Sequence, residues 1–195
     1  SRVGSSRHKG GMTIADLSCG RGGDIKKYLS IKNKVEFILG LDVSSNINEA
    51  AQRYHYLSKP KPKALFLQYD TSKSIKGGEG CVGENIERNK LLIDILYDRQ
   101  RALPKELRPL VPKYKGLCKK GFDIISSQFS IHYYFKDELT LRTYIQNISE
   151  NIKKGGFFIG TCYDGMKVFQ MLDKNEGHIE MMDEFNNKVF SITKK

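Results

Sequence analysis

Along the 195-residue chain, near-continuous apolar runs give way to helical stripes and then recur. Residues 12–17 (MTIADL) and 35–43 (VEFILGLDV) are too uniformly apolar for a sheet with one wet face, so they read as central parallel strands covered on both sides. Between them, residues 24–30 put Ile25, Tyr28 and Leu29 on one face of a short helix. After the second run, Ser44 or Ser45 caps a helix whose Ile47, Ala50, Ala51, Tyr54 and Leu57 fall at helical spacing, and the proline-bearing stretch 59–63 ends it. Further strands are expected over 64–69, 122–129, 157–162 and 188–193. Helices are expected over 86–103, where Pro104, Pro109 and Pro112 then break the pattern, over 137–154, stopped by Gly155 and Gly156, and over 166–172. Residues 1–11, rich in Ser, Arg, Gly and Lys, read as a flexible segment, and 12–195 as one domain in which 73–121 is an insert-like stretch. Strands alternating with helices predict an α/β fold: an open, mostly parallel, twisted sheet with helices on both faces.

In such sheets ligands sit over the carboxyl ends of the strands. The segment from Ile14 to Asp24 (IADLSCGRGGD) runs from a buried strand into a glycine loop that opens a helix. Gly20, Gly22 and Gly23 let backbone approach a ligand closely, since no Cβ intervenes. Asp42, roughly 20 residues beyond the loop, is placed to accept hydrogen bonds from ribose hydroxyls. A pyrophosphate-binding loop leaves its helix N-terminus free for negative charge. Here Asp24 puts a carboxylate there, which suits ammonium and sulfonium charge and favours S-adenosylmethionine over NAD or ATP. Asp70 ends the third strand; it reads as an ordinary Asp-Thr-Ser turn or as an acceptor for the adenine amine. In Ser126–Phe135 (SSQFSIHYYF) a strand ends in a polar turn followed by a histidine among aromatics. Aromatics at the mouth of a crevice stack on bases. Taken alone, His132 reads equally as a satisfied core histidine and as a ligand for a base edge.

The formal charge of +11 and a pI near 9.4 point to a polyanionic partner. The four cysteines lack CxxC spacing and the four histidines are dispersed, so no metal site is expected, and free thiols fit a reducing compartment. No apolar stretch approaches the roughly 20 residues of a spanning helix, and no apolar signal core is present, so the chain is expected to be intracellular with no membrane partner.

ADLSCGRGGD, LDVS and SSQFSIHYYF resemble the mRNA cap guanine-N7 methyltransferase family, whose motifs read DLGCGKGGD and CQF-x-x-HY-x-F on the same elements. The resemblance implies a Rossmann-like class I methyltransferase fold, S-adenosylmethionine as cofactor, S-adenosylhomocysteine as product, and the 5′ GpppN end of capped RNA as substrate. It implies that Ser18 through Asp24, including Gly20, wrap the methionine part, with Asp24 contributing charge. Asp42 then holds the ribose, Asp70 the adenine, and Gln128 the methionine end. His132 binds the cap guanine, and Tyr133 lines the boundary between guanine and methyl. Guanine N7 carries no proton to remove, so no general base is needed: His132 and Tyr133 position, and no residue is assigned a catalytic proton transfer. Ser18 stands where the family has glycine, and Arg21 where it has lysine. The family also has a basic helix before the first strand and a C-terminal lobe with a Glu and a Tyr that contact guanine. The chain is therefore expected to be part of a longer polypeptide with other capping-enzyme domains, as in large DNA viruses, acting in the cytoplasm (a viral factory) or nucleus. Two other readings stay open: a methyltransferase on another RNA position or a small molecule, and a non-catalytic methyltransferase-like module that stimulates a partner or binds RNA.

Overall fold

The computed structural model describes residues 11–31, 34–58, 60–99 and 101–194. The flexible segment expected over 1–11 lies outside the described residues except for Gly11. Five strands, β1 (Met12–Leu17), β2 (Val35–Asp42), β3 (Lys63–Gln68), β4 (Phe122–Gln128) and β5 (Ile152–Thr161), pair in the order β3-β2-β1-β4-β5, all parallel. Strand order reverses between β1 and β4, the position where open α/β sheets form a ligand crevice. The register aligns the strand ends: Asp16 lies beside Gly40 and Ser126, and Asp42 beside Gln68.

Both faces of β1 and β2 are buried because successive side chains alternate between two helical layers. Ala15, Leu17, Phe37, Leu39 and Leu41 face a core shared with Leu92, Ile93 and Leu96 of α3 (Ile86–Leu96) and Tyr144 of α5 (Glu138–Asn151). Ile14 and Ile38 pack on the other face with Tyr28 of α1 (Ile25–Leu29), and beside them Ile25 packs with Ile47 and Ala50 of α2 (Ile47–His55).

Three expectations change. Helix α3 stops at Leu96, not at 103, because Asp98 turns the chain at φ +59° and Asp94 draws Arg99 back in an ion pair of 2.6 Å. The prolines beyond it start turns instead of merely ending them: Pro109 lies in a 3₁₀ turn, Arg108–Leu110, and Pro112 in the first turn of α4 (Val111–Tyr114), where a missing N–H costs nothing. Gly155 and Gly156 lie inside β5, which begins at Ile152; Lys153 is tied to Asp123 of β4 at 2.8 Å, and the bulge falls where the β4–β5 register shifts.

Residues Cys162–Lys195 form a second compact unit. There α6 (Gly165–Lys174) is capped by Asp164, whose carboxylate accepts from the Lys167 N–H at 3.1 Å. β7 (Lys188–Thr193), expected as a sixth strand, pairs antiparallel with β6 (His178–Met182), for which no strand was expected, in a separate two-stranded sheet. Among the described residues no helix is long and apolar enough to cross a membrane, and no group of three or more His, Cys, Asp or Glu could hold a metal ion.

Candidate functional site

After β1 the chain folds back onto β2, with the Ser18 and Cys19 N–H groups donating to the Leu41 carbonyl at 2.8 and 2.9 Å. Gly20 and Gly22 then take positive φ, +51° and +76°. A Cβ on Gly22 would come within 2.6 Å of Ile25 Cδ1 and 3.0 Å of Ala50 Cβ, so glycine here lets α2 close on the loop. A Cβ on Gly20 would meet nothing within 4 Å: its requirement is conformational, and the space before it is open. Asp42 fixes this loop. Its Oδ2 accepts from the Gly20 N–H at 2.8 Å, while Oδ1 accepts from the Ser44 N–H at 2.9 Å and the Ser44 hydroxyl at 2.6 Å. Asp42 thus both leads the chain toward α2 and anchors the loop, and Oδ2 keeps a lone pair for a ligand.

Asp24 stands at the start of α1 but makes no capping bond; its carboxylate pairs with Lys27 Nζ at 2.5 Å. Its charge is therefore partly offset, and α1 is only five residues long. Beneath the loop lies a carboxyl that sequence reasoning missed. Asp16 is buried and accepts from the Tyr28 hydroxyl at 2.7 Å. Burial raises its pKa to about 7; the Tyr28 bond opposes the rise, and the charges of Asp24 and Asp42 add to it.

Past β3, Asp70 Oδ1 accepts from the Ser72 N–H at 2.9 Å, the ordinary turn that its sequence allowed. The loop that follows is held by α5, where Asn147 accepts from the Ile75 N–H and donates to the Thr71 and Lys73 carbonyls. Past β4, a 3₁₀ helix (Ile131–Lys136) carries the aromatic segment. The His132 and Tyr133 rings lie 4.3 Å apart, and Tyr133 is exposed. Phe129 and Phe135 are 62% and 66% exposed, so neither belongs to the core. At the end of β4 the Gln128 amide donates to Ser126 Oγ and accepts from Thr161 Oγ1, both at 3.0 Å, and so joins β4 to β5.

Tyr134, also unforeseen, joins the loops. Its hydroxyl pairs with Ser18 Oγ at 3.1 Å and with Thr71 Oγ1, and its ring stacks on Tyr144 with centroids 3.7 Å apart. Ser18 holds φ +102°, a conformation that glycine adopts more readily. Ser18, Asp70 and Tyr133 line one cavity of about 220 Å³, together with Tyr134. A neighbouring cavity of about 470 Å³ shares Asp70, Ser72, Lys136 and Thr140 with it. A larger hollow of about 640 Å³ is lined by Gly22, Gly23, Lys26 and Arg53; it shares the loop glycines, but Asp42, Asp70, His132 and Tyr133 are not among its lining. The crevice is marked by converging residues, not by volume.

Residues 4–195 match the sequence family described as the mRNA (guanine-N(7))-methyltransferase domain. The chain belongs to that family. It is 29% identical over 203 residues to a probable mRNA-capping enzyme of Acanthamoeba polyphaga mimivirus, covering 95% of this chain and 16% of that protein. It is 30% identical over 187 residues to an mRNA cap guanine-N(7) methyltransferase of Candida albicans, covering 93% of this chain and 35% of that protein. The chain thus spans about a third or less of these curated relatives. Among solved structures, an S-adenosylmethionine-dependent methyltransferase from Clostridium acetobutylicum superposes with a TM-score of 0.51 at 19% identity, covering 88% of this chain and 50% of that one, which shows the class I methyltransferase fold. In this guanine-N7 methyltransferase domain, Ser18 occupies a glycine position of the loop motif, and Tyr134 an unspecified position of HY-x-F. The two meet in one hydrogen bond.

Proposed function

We propose that this chain is the methyltransferase domain of an mRNA cap guanine-N7 methyltransferase, transferring a methyl group from S-adenosylmethionine to N7 of the cap guanine of GpppN-RNA. The observation that carries this reading is the meeting, at the strand-order reversal, of a glycine loop pinned by Asp42 and the His132–Tyr133 segment after β4. The residues fit the cofactor: Asp42 Oδ2 retains acceptor capacity, and the space in front of Gly20 is open. S-adenosylmethionine supplies, when bound, an electrophilic methyl on a sulfonium.

Ser18 through Asp24 hold the methionine part, Asp42 the ribose hydroxyls and Asp70 the adenine amine. Gln128, held at the β4 terminus by its bond to Thr161, contributes to the methionine end. His132 binds the guanine edge, and Tyr133 offers it a stacking face. Guanine N7 presents a lone pair and no proton, so the chain's work is alignment, which in well-oriented reactions is worth about 7–11 kcal/mol. The basic chain supports capped RNA as partner. The mimivirus relative, a probable capping enzyme far longer than this chain, supports other capping domains in the same polypeptide and a site of action where mRNA is capped, cytoplasm or nucleus.

In the full-length protein, His132→Ala is expected to lower methylation of GpppG-capped RNA by about 100-fold through misalignment. Calorimetric affinity for S-adenosylhomocysteine should stay within about threefold, a small difference in free energy. Unchanged cap methylation would remove His132 from the guanine site. Failure of a GpppG cap analogue to compete would point to another acceptor.

A further inference from the structure

Residues 99–121 carry eight Lys or Arg and one Glu, a net +7 within a chain of net +11. Buried Leu107, Tyr114 and Cys118 pin this stretch to the main core, and the cations between them are left outside. The pinning contacts lie at the N-terminal ends of the strands: Tyr114 packs against Phe37 of β2 and donates to the Ala64 carbonyl of β3 at 3.2 Å. The methyl-transfer crevice lies at the other ends, a strand length of about 20 Å away.

Asp94 pairs with Arg99 and Arg101, and Asp98 with Lys115 and Lys119. Lys105, Arg108, Lys113 and Lys120 are exposed and have no carboxylate within ion-pair distance among the described residues. No large apolar side chain between residues 97 and 128 is among the exposed ones. A protein-binding surface has an apolar centre. Spaced cations without one suit a phosphate backbone, whose affinity comes from neutralising phosphates and releasing counterions.

We infer that the basic stretch 101–121, at the end of the insert-like region, forms a second RNA-binding surface at the far end of the sheet, taking the single-stranded phosphate backbone downstream of the cap without regard to sequence. The inference rests on the proposed RNA substrate but assigns a surface separate from the guanine site. It makes affinity depend on RNA length. A cap dinucleotide reaches only the crevice, whereas a longer transcript gains the insert.

The test uses the full-length protein, a capped oligoribonucleotide long enough to span the sheet, and the dinucleotide GpppG. Neutralising Lys105, Arg108, Lys113 and Lys120 together, each to Gln, is expected to weaken binding of the long RNA by about tenfold or more and to reduce the slope of log affinity against log salt by about 3, at about 0.7 per contact. Methylation of GpppG should be unchanged. Glu106→Lys adds a cation to the same surface without disturbing a buried group, and should tighten long-RNA binding and steepen the slope by about 0.7. A folding defect cannot produce that gain. Unchanged slopes in both variants, with GpppG still methylated, would overturn this inference alone. Altered slopes with no GpppG methylation by wild type would overturn the methyltransferase reading alone. Loss of binding to polyglutamate with RNA binding intact would show an acidic protein as the occupant and also overturn the inference.

Discussion

Asp42→Ala is expected to weaken S-adenosylmethionine binding by about 100- to 1,000-fold, the equivalent of about 3–4 kcal/mol. The carboxylate has two tasks. It is assigned the ribose hydroxyls, and hydrogen bonds to a charged group are worth about 1.5–3 kcal/mol each. It also holds the loop itself, through the Gly20 N–H at 2.8 Å and the Ser44 N–H at 2.9 Å. Alanine removes both, so the melting temperature should fall as well, by roughly 5–10 °C for a domain of this size. Asp42→Asn sharpens the result. Its carbonyl oxygen can still accept from Ser44, but its amide then turns a donor toward the Gly20 N–H, so the loop is released while the turn survives. If calorimetry well below the melting temperature showed either variant binding the cofactor like wild type, Asp42 would be a structural turn residue only.

The second large effect concerns stability. The Asp16 carboxyl is 3% exposed, with its pKa raised to about 7, above the ordinary value of 3.8. With a raised folded-state pKa, the native protein binds more protons than the unfolded chain between those two values. Asp16's contribution is therefore fully present below pH 3.8 and is lost as pH rises through about 7. Asp16→Asn keeps a neutral acceptor for Tyr28 and removes the ionisation. Relative to wild type, this variant should gain stability progressively as pH rises through the window, by an amount of order 4 kcal/mol at most above neutral pH. Urea unfolding of both proteins across that range measures the difference. A difference independent of pH would mean that Asp16 titrates in the folded protein as it does in the unfolded chain, its acidity unaltered by burial.

The glycine loop, Asp42 and the aromatic block were legible because each depends on local pattern. An apolar run ending in glycine must turn, and a polar turn followed by HYYF stands out against buried strands. Tyr134 was hidden because its partners, Ser18 and Thr71, are 116 and 63 residues away in sequence. Asp16 passed as one polar letter in an apolar strand; its burial in the fold, with the charges of Asp24 and Asp42 adding, is what raises its pKa. The end of α3 was misread because no proline breaks the chain before Pro104, whereas Asp98 ends the helix by taking φ +59°. Gly155 and Gly156 looked like a helix stop, yet the chain had already become extended at Ile152, drawn in by the Lys153–Asp123 pair. Long-range hydrogen bonds and ion pairs account for what local periodicity missed.

The central claim is the acceptor atom. Full-length protein, GpppG-capped RNA and S-adenosylmethionine labelled in the methyl group should yield, after nuclease digestion, label confined to m7GpppG, and the His132→Ala protein should give almost none. Label at another position, or no transfer by a protein that binds S-adenosylhomocysteine, would contradict it.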